Sequence, residues 1–85
     1  MPKSIYSSEQ AKLQQLLRQI RRDAGLTQED LAAKLKRPQS FVSKYESGER
    51  RLDVLELREI CCTMNFTLMD FVKKMEQALR VSEKR

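Results

Sequence analysis

The chain has 85 residues, enough for one domain and too few for a second, so it must pack efficient helices or share a core with a partner. Two glycines, two prolines and no β-branched run favour an all-α fold. No apolar run approaches the ~18 residues of a membrane span and no signal peptide is visible, which predicts a soluble cytoplasmic protein without membrane association. The net charge of +5 is concentrated: residues 34–51 carry +4, residues 1–33 carry +1 and residues 52–85 sum to zero. A basic run is often only a solvated face, but an excess gathered on one motif also suits a phosphate backbone.

Residues 1–6 read as a loose N-terminal arm. Ser7, with Gln10 three residues on, resembles a capping box and predicts a first helix to about Asp23. Leu13, Leu16, Leu17 and Ile20 form its apolar stripe. Gly25 can stop it with a positive φ. Thr27 and Asp30 then form a reciprocal cap for a short second helix, with Leu31, Ala32 and Leu35 on its apolar face. Lys36-Arg37-Pro38 interrupts the pattern, since a proline disfavours helix in the residue before it.

A third helix, Gln39 to about Glu46, turns Val42 and Tyr45 to one side and Gln39, Ser40, Ser43 and Lys44 to the other. Gly48 can supply its left-handed stop. Two helices joined this tightly must cross steeply, which makes residues 26–48 a helix-turn-helix and a candidate for reading DNA. Glutamine offers a donor beside an acceptor, which suits adenine N6 and N7, and lysine suits guanine O6 and N7. Gln39 and Ser40 could instead cap the helix start. Phe41 neighbours the inward Val42, so it should point largely outward, where it could touch a thymine methyl, or else lean onto the apolar turn beneath.

Arg50 and Arg51 fall in the next loop, with Leu52 tucked inward. Asp53 and Glu56 predict a capped fourth helix to about Met64, burying Leu57, Ile60, Cys61 and Met64, with Val54 or Leu55 at its start. Asn65 is a plausible left-handed terminator. Thr67 and Asp70 cap a fifth helix whose face holds Leu68, Phe71, Val72, Met75 and Leu79. Residues 81–85 read as a polar tail, leaving 7–80 as the domain. Cys61 and Cys62 are adjacent on a helix and diverge, so neither a mutual disulfide nor a metal site is expected in a chain without histidine. No catalytic constellation is visible, and neither an enzyme nor a cofactor is expected.

From Leu17 to about Val72 the segments LRQIRRDAGLTQEDLAAKL and SFVSKYESGERR, followed by a helical pair, resemble the five-helix DNA-binding domains of phage repressors and the wider Xre/Cro-like family. The resemblance implies a compact five-helix bundle whose third helix lies in the major groove. It implies base-reading roles for Gln39, Ser40 and Lys44, with Ser43 and Phe41 beside them. Gln28 matches a glutamine that binds a phosphate and braces its fellow glutamine. The basic excess adds Lys36, Arg37, Arg50 and Arg51 as candidate phosphate contacts. Arg21 and Glu46 match a partly buried ion pair that sets the angle between scaffold and reading helix. One departure stands out: Lys36 occupies a position where the family usually has a left-handed glycine.

One reading helix covers few base pairs, so a homodimer on a palindromic site is expected, with Leu68, Met69, Val72 and Met75 at its interface. The expected function is a double-stranded-DNA-binding transcriptional regulator, a repressor acting at the bacterial nucleoid. The alternatives are an antitoxin or adaptor that binds a toxin or other protein, and the controller of a restriction–modification system.

Overall fold

A computed structural model describes residues 2–83, with side chains for residues 8–80. Among these residues there are five helices and no strand: α1 (Pro2–Asp23), α2 (Gln28–Leu35), α3 (Gln39–Ser47), α4 (Val54–Thr63) and α5 (Leu68–Glu83). The core gathers Leu17 and Ile20 of α1, Leu31, Ala32 and Leu35 of α2, Phe41, Val42 and Tyr45 of α3, Ile60 and Cys61 of α4 and Phe71 of α5. Each helix therefore contributes to one apolar centre, and Phe71 and Leu31 are fully enclosed within it.

The caps form as their residue types require. Asp30 N–H donates to Thr27 Oγ1 at 3.0 Å and the Asp30 carboxylate accepts from Thr27 N–H at 3.0 Å. Asp53 and Glu56 repeat the exchange at the start of α4, at 2.8 and 3.0 Å. Asp70 N–H donates to Thr67 Oγ1 at 2.9 Å at the start of α5. Each bond satisfies a donor that the first helical turn leaves open. Asn65 adopts φ 61°, the left-handed stop expected after α4.

Both ends of the chain depart from the sequence expectation. The first helix starts at Pro2, not at Ser7, so residues 2–6 are helical and no loose arm precedes Ser7 among the described residues. Proline suits a first helical turn, where its missing N–H has no intrahelical partner anyway, and Lys3 to Tyr6 contains no breaker. Ser7 and Gln10 lie inside the helix. Likewise α5 runs to Glu83, past the predicted tail boundary at residue 81. Met1, Lys84 and Arg85 lie outside the described residues.

Val54 or Leu55 was expected near the core, but both are exposed, at 64% and 75%. They occupy the first turn of α4, before the stripe formed by Leu57, Ile60, Cys61 and Met64 reaches the other helices. Cys61 is enclosed and Cys62 is exposed, as divergent neighbours on a helix should be. Burial pushes the Cys61 thiol up to about 11, which keeps it protonated and inert.

Candidate nucleic-acid interface

Between α2 and α3 the chain turns within three residues. Lys36 takes φ 60° and ψ 43°, and its N–H donates back to the α2 carbonyls of Ala32 and Ala33. The next N–H, from Arg37, donates to Ala32 O at 3.0 Å. Lys36 thus adopts the left-handed geometry of the family's glycine and accepts a strain of ~1 kcal/mol. Ala32, almost fully buried, sits in the core where α2 packs on α3. Pro38 occupies the N-cap of α3 with no side-chain cap bond, so Gln39 and Ser40 are not the capping residues that one sequence reading allowed.

The two faces of α3 are distinct. Phe41, Val42, Tyr45 and Glu46 are buried. Gln39, Ser40 and Lys44 are exposed, and Ser43 partly so, forming one row at helical spacing on the opposite face. Gly48 ends the helix at φ 90°, and Glu49 N–H closes onto Lys44 O at 2.9 Å. The positive φ is what favours glycine there; the Gln14 amide of α1 also lies close by, but it is the end of a flexible side chain that can move aside.

Behind the exposed row lies a buried polar chain. Arg21 of α1 donates through Nε to Glu46 Oε2 at 2.7 Å and through Nη2 to Oε1 at 3.1 Å, while its Nη1 reaches Leu26 O at 2.8 Å. The expected ion pair between Arg21 and Glu46 is therefore made, and it is fork-to-fork. The side-chain hydrogen bond to Glu46 outweighs burial and raises the Arg21 pKa. Arg18, which the sequence reading did not single out, donates to Glu46 O at 3.4 Å and lies 3.8 Å from its carboxylate. Gln28 Nε2 donates to Glu46 Oε1 at 3.0 Å, and Gln39 Nε2 donates to Gln28 Oε1 at 3.2 Å. The chain from scaffold to exposed helix start is continuous, and Gln28 does brace Gln39. An open cleft beside it is lined by Arg21, Arg22, Leu26, Thr27, Gln28 and Gln39 among others.

Phe41 contradicts its assignment to base reading. Only 7% of it is exposed. Its ring packs edge-on to Tyr45, with centroids 5.4 Å apart, while the guanidinium carbons of Arg37 and Arg50 lie 4.3 and 4.8 Å from its centroid. Position 41 follows Ser40 by one helical step, and that rotation carries it under the turn and the α3–α4 loop rather than out to solvent.

The predicted phosphate contacts also divide. Lys36 is exposed and Gln28 half-buried. Arg50, by contrast, is held bidentately by Glu56 at 3.0 and 2.8 Å and donates to Arg51 O at 2.9 Å. Arg37 lies 3.9 Å from Glu56 and 3.8 Å from Glu59. Arg51 is exposed on the same loop. The local excess of positive charge is thus smaller than the tally of residues 34–51 implied, because carboxylates from α4 fold against it. Nothing in the spacing of Arg37, Arg50 and Glu56 announced this cluster, whose members come from a turn, a loop and a helix. The Arg50 hydrogen bond is the main cause that holds the Glu56 carboxyl down at about 2, with the Asp53 N–H second.

At the proposed dimer surface, Met69 and Val72 are exposed, whereas Leu68 and Met75 are half-buried and Met75 packs on the core. No helix of the described residues is long and apolar enough to cross a membrane.

No curated protein matches this sequence. The helix-turn-helix family HTH_3 matches residues 17–71. A solved structure, an XRE-family like protein from Pseudomonas syringae pv. tomato str. DC3000, is 44% identical, with a TM-score of 0.79 over 88% of this chain and 92% of that one. A tight two-helix motif, an exposed polar row on its second helix and these two matches lead to one conclusion: the chain belongs to the Xre-like helix-turn-helix family of DNA-binding transcriptional regulators.

Proposed function

We propose that this protein is a sequence-specific repressor that binds a palindromic double-stranded DNA operator as a homodimer. The observation that carries the reading is the row of Gln39, Ser40, Ser43 and Lys44, presented on a helix whose buried side is tied to α1 through Arg21 and Glu46. A rigid helix with hydrogen-bonding groups at its N-terminal end is what base-edge recognition in the major groove requires. Gln28, Lys36 and Arg51 flank that row and supply backbone contacts, which position the helix without reading sequence. Arg37 and Arg50 act from within the Phe41 cluster, shaping the turn and the loop.

Dimerisation uses the outward side of α5, where Met69 and Val72 are exposed, with Leu68 and Met75 at its margin. Selection of bound sequences from random duplexes tests the whole reading. It should return an inverted repeat whose enrichment falls steeply with salt as counterions are released. No enriched sequence would overturn specific reading, and only a 10.0 kDa species in sedimentation at micromolar concentration would overturn the dimer.

The exposed Val54 and Leu55 on α4 favour a second reading, in which an apolar surface binds a different protein, as an antitoxin binds its toxin. The two roles can coexist. A restriction–modification controller would share the DNA chemistry and differ in the genes it governs.

A further inference from the structure

Arg37 sits just before α3 and Arg50 just after it. Both guanidiniums rest on the ring of Phe41, 4.3 and 4.8 Å from its centroid. Their side chains are 34% and 39% exposed, so an anion in solution can reach them. Two guanidiniums gathered on one ring and open to water are suited to phosphate oxygens. That place is already taken by the chain itself. The Glu56 carboxylate accepts from Arg50 Nη1 and Nη2 at 3.0 and 2.8 Å and lies 3.9 Å from Arg37. Arg51 O also accepts from Arg50 Nη1, at 2.9 Å, and Glu59 lies 3.8 Å from Arg37. Two arginines therefore face two carboxylates, and the most directional bonds of Arg50 are spent inside the protein.

We propose that this cluster is a DNA-phosphate site held shut from within: Glu56 takes the place of a phosphate on Arg50 and Arg37, and so lowers affinity for every DNA sequence alike. The step rests on the DNA-binding function proposed above. Phosphate contacts carry no sequence information, so each one withheld weakens binding to the operator and to all other DNA together. The base-reading row on α3 is left untouched, and it supplies a larger share of the remaining binding. The start of α4 does not need the charge, because a capping box accepts glutamine as readily as glutamate at the position of Glu56.

Glu56→Gln therefore keeps the cap and frees the arginines. Binding to a duplex of random sequence, followed by fluorescence anisotropy across a salt series, reads the result without knowledge of the operator. The variant should bind more tightly at low salt. Its logarithmic salt dependence should steepen by about 0.9 for each arginine freed in each protomer. Between about 50 and 200 mM salt, that is an extra loss of roughly 3-fold per arginine. Arg50→Met should change the wild-type slope little, since Arg50 meets no phosphate there, and should remove most of the gain in Glu56→Gln. Glu49→Gln is the control. It makes the same change of charge on the same exposed loop, but Glu49 is not among the partners of Arg37 or Arg50. Its slope should stay near that of the wild type.

An equal rise in Glu49→Gln and Glu56→Gln would overturn the proposal, because net charge alone would then explain both. An unchanged or shallower slope in Glu56→Gln would overturn it too, and would mark Glu56 as the residue that aims Arg50 at the backbone. Either result leaves DNA binding intact. Failure of the wild type to bind any duplex at low salt would remove the DNA-binding reading and the shut site together.

Discussion

Two arginine–glutamate clusters hold α3, and they differ in where water reaches. Under the helix, Arg21 and Glu46 have side chains 9% and 1% exposed. Beside it, Arg50 and Glu56 make an equally short bidentate contact, but with side chains 39% and 18% exposed. The buried pair sets orientation: its charges gain from each other only when α1 and α3 meet at one angle, and desolvation cancels much of that gain. The outer cluster is screened by solvent and contributes shape instead, clamping Phe41 beneath Arg37 and Arg50. The same two functional groups therefore do different work because the dielectric around them differs.

The largest expected effect comes from breaking the buried pair on one side. Arg21→Met leaves Glu46 charged and enclosed, and should cost about 3–5 kcal/mol in urea unfolding. The double variant Arg21→Met/Glu46→Met should recover much of that loss, because no unpaired charge remains. If the double variant is as unstable as the single one, the pair is a stabiliser rather than an orienting device.

Phe41→Ala should cost nearly as much, about 3 kcal/mol, by opening a cavity under the two arginines. Phe41→Leu keeps more of the volume and should lower stability without altering base preference. A changed base preference in that variant would restore Phe41 to the reading surface.

Tyr45 sits between the two clusters: its ring meets Phe41, and Glu46 and Arg21 both act on its hydroxyl electrostatically. Its hydroxyl is buried with no hydrogen-bond partner among the described residues, and burial raises its pKa. Removing an unsatisfied buried hydroxyl should help, so Tyr45→Phe is expected to gain about 1 kcal/mol. In a domain of this size that raises the thermal midpoint by roughly 4–8 °C. A fall in the midpoint would mean the hydroxyl has a partner in solution.

The smallest effect belongs to the outer cluster and is read by pH. The folded Glu56 carboxyl is depressed to about 2 from an ordinary 4.5, chiefly by Arg50. A depressed carboxyl stabilises the fold above its unfolded pKa, and that stabilisation is lost as pH falls toward about 2. Glu56→Gln should flatten the stability profile between about 4.5 and about 2 and leave it sloping as before elsewhere. High salt should shrink the difference between variant and wild type at neutral pH. An unchanged profile would mean that Arg50 and Glu56 do not pair in solution.

The helical plan was legible because its signals are local. Thr27 with Asp30 and Asp53 with Glu56 each form the reciprocal cap their spacing announced. Gly25 and Gly48 stop their helices at positive φ, and Leu17, Ile20, Leu31, Val42 and Ile60 are buried on the apolar faces of their own helices, as the periodicity required. The first helix was misjudged at its start because Ser7 and Gln10 have the spacing of a capping box although both lie inside α1. Spacing reports what a residue can do, and only the neighbouring chain decides whether the helix needs it.

At the site, sequence alone determined that Gln39, Ser40, Ser43 and Lys44 share one face of a short helix, since a period of 3.6 residues fixes their direction. It also brought Arg21 and Glu46 forward as partners, through resemblance to a family. Tertiary structure decided what lay across a gap in the chain. Phe41 was turned inward by Arg37 from the turn and Arg50 from the loop, and those arginines were claimed by Glu56 and Glu59 from α4. Charges far apart in sequence interact according to distance and local dielectric, and neither quantity exists until the helices have packed.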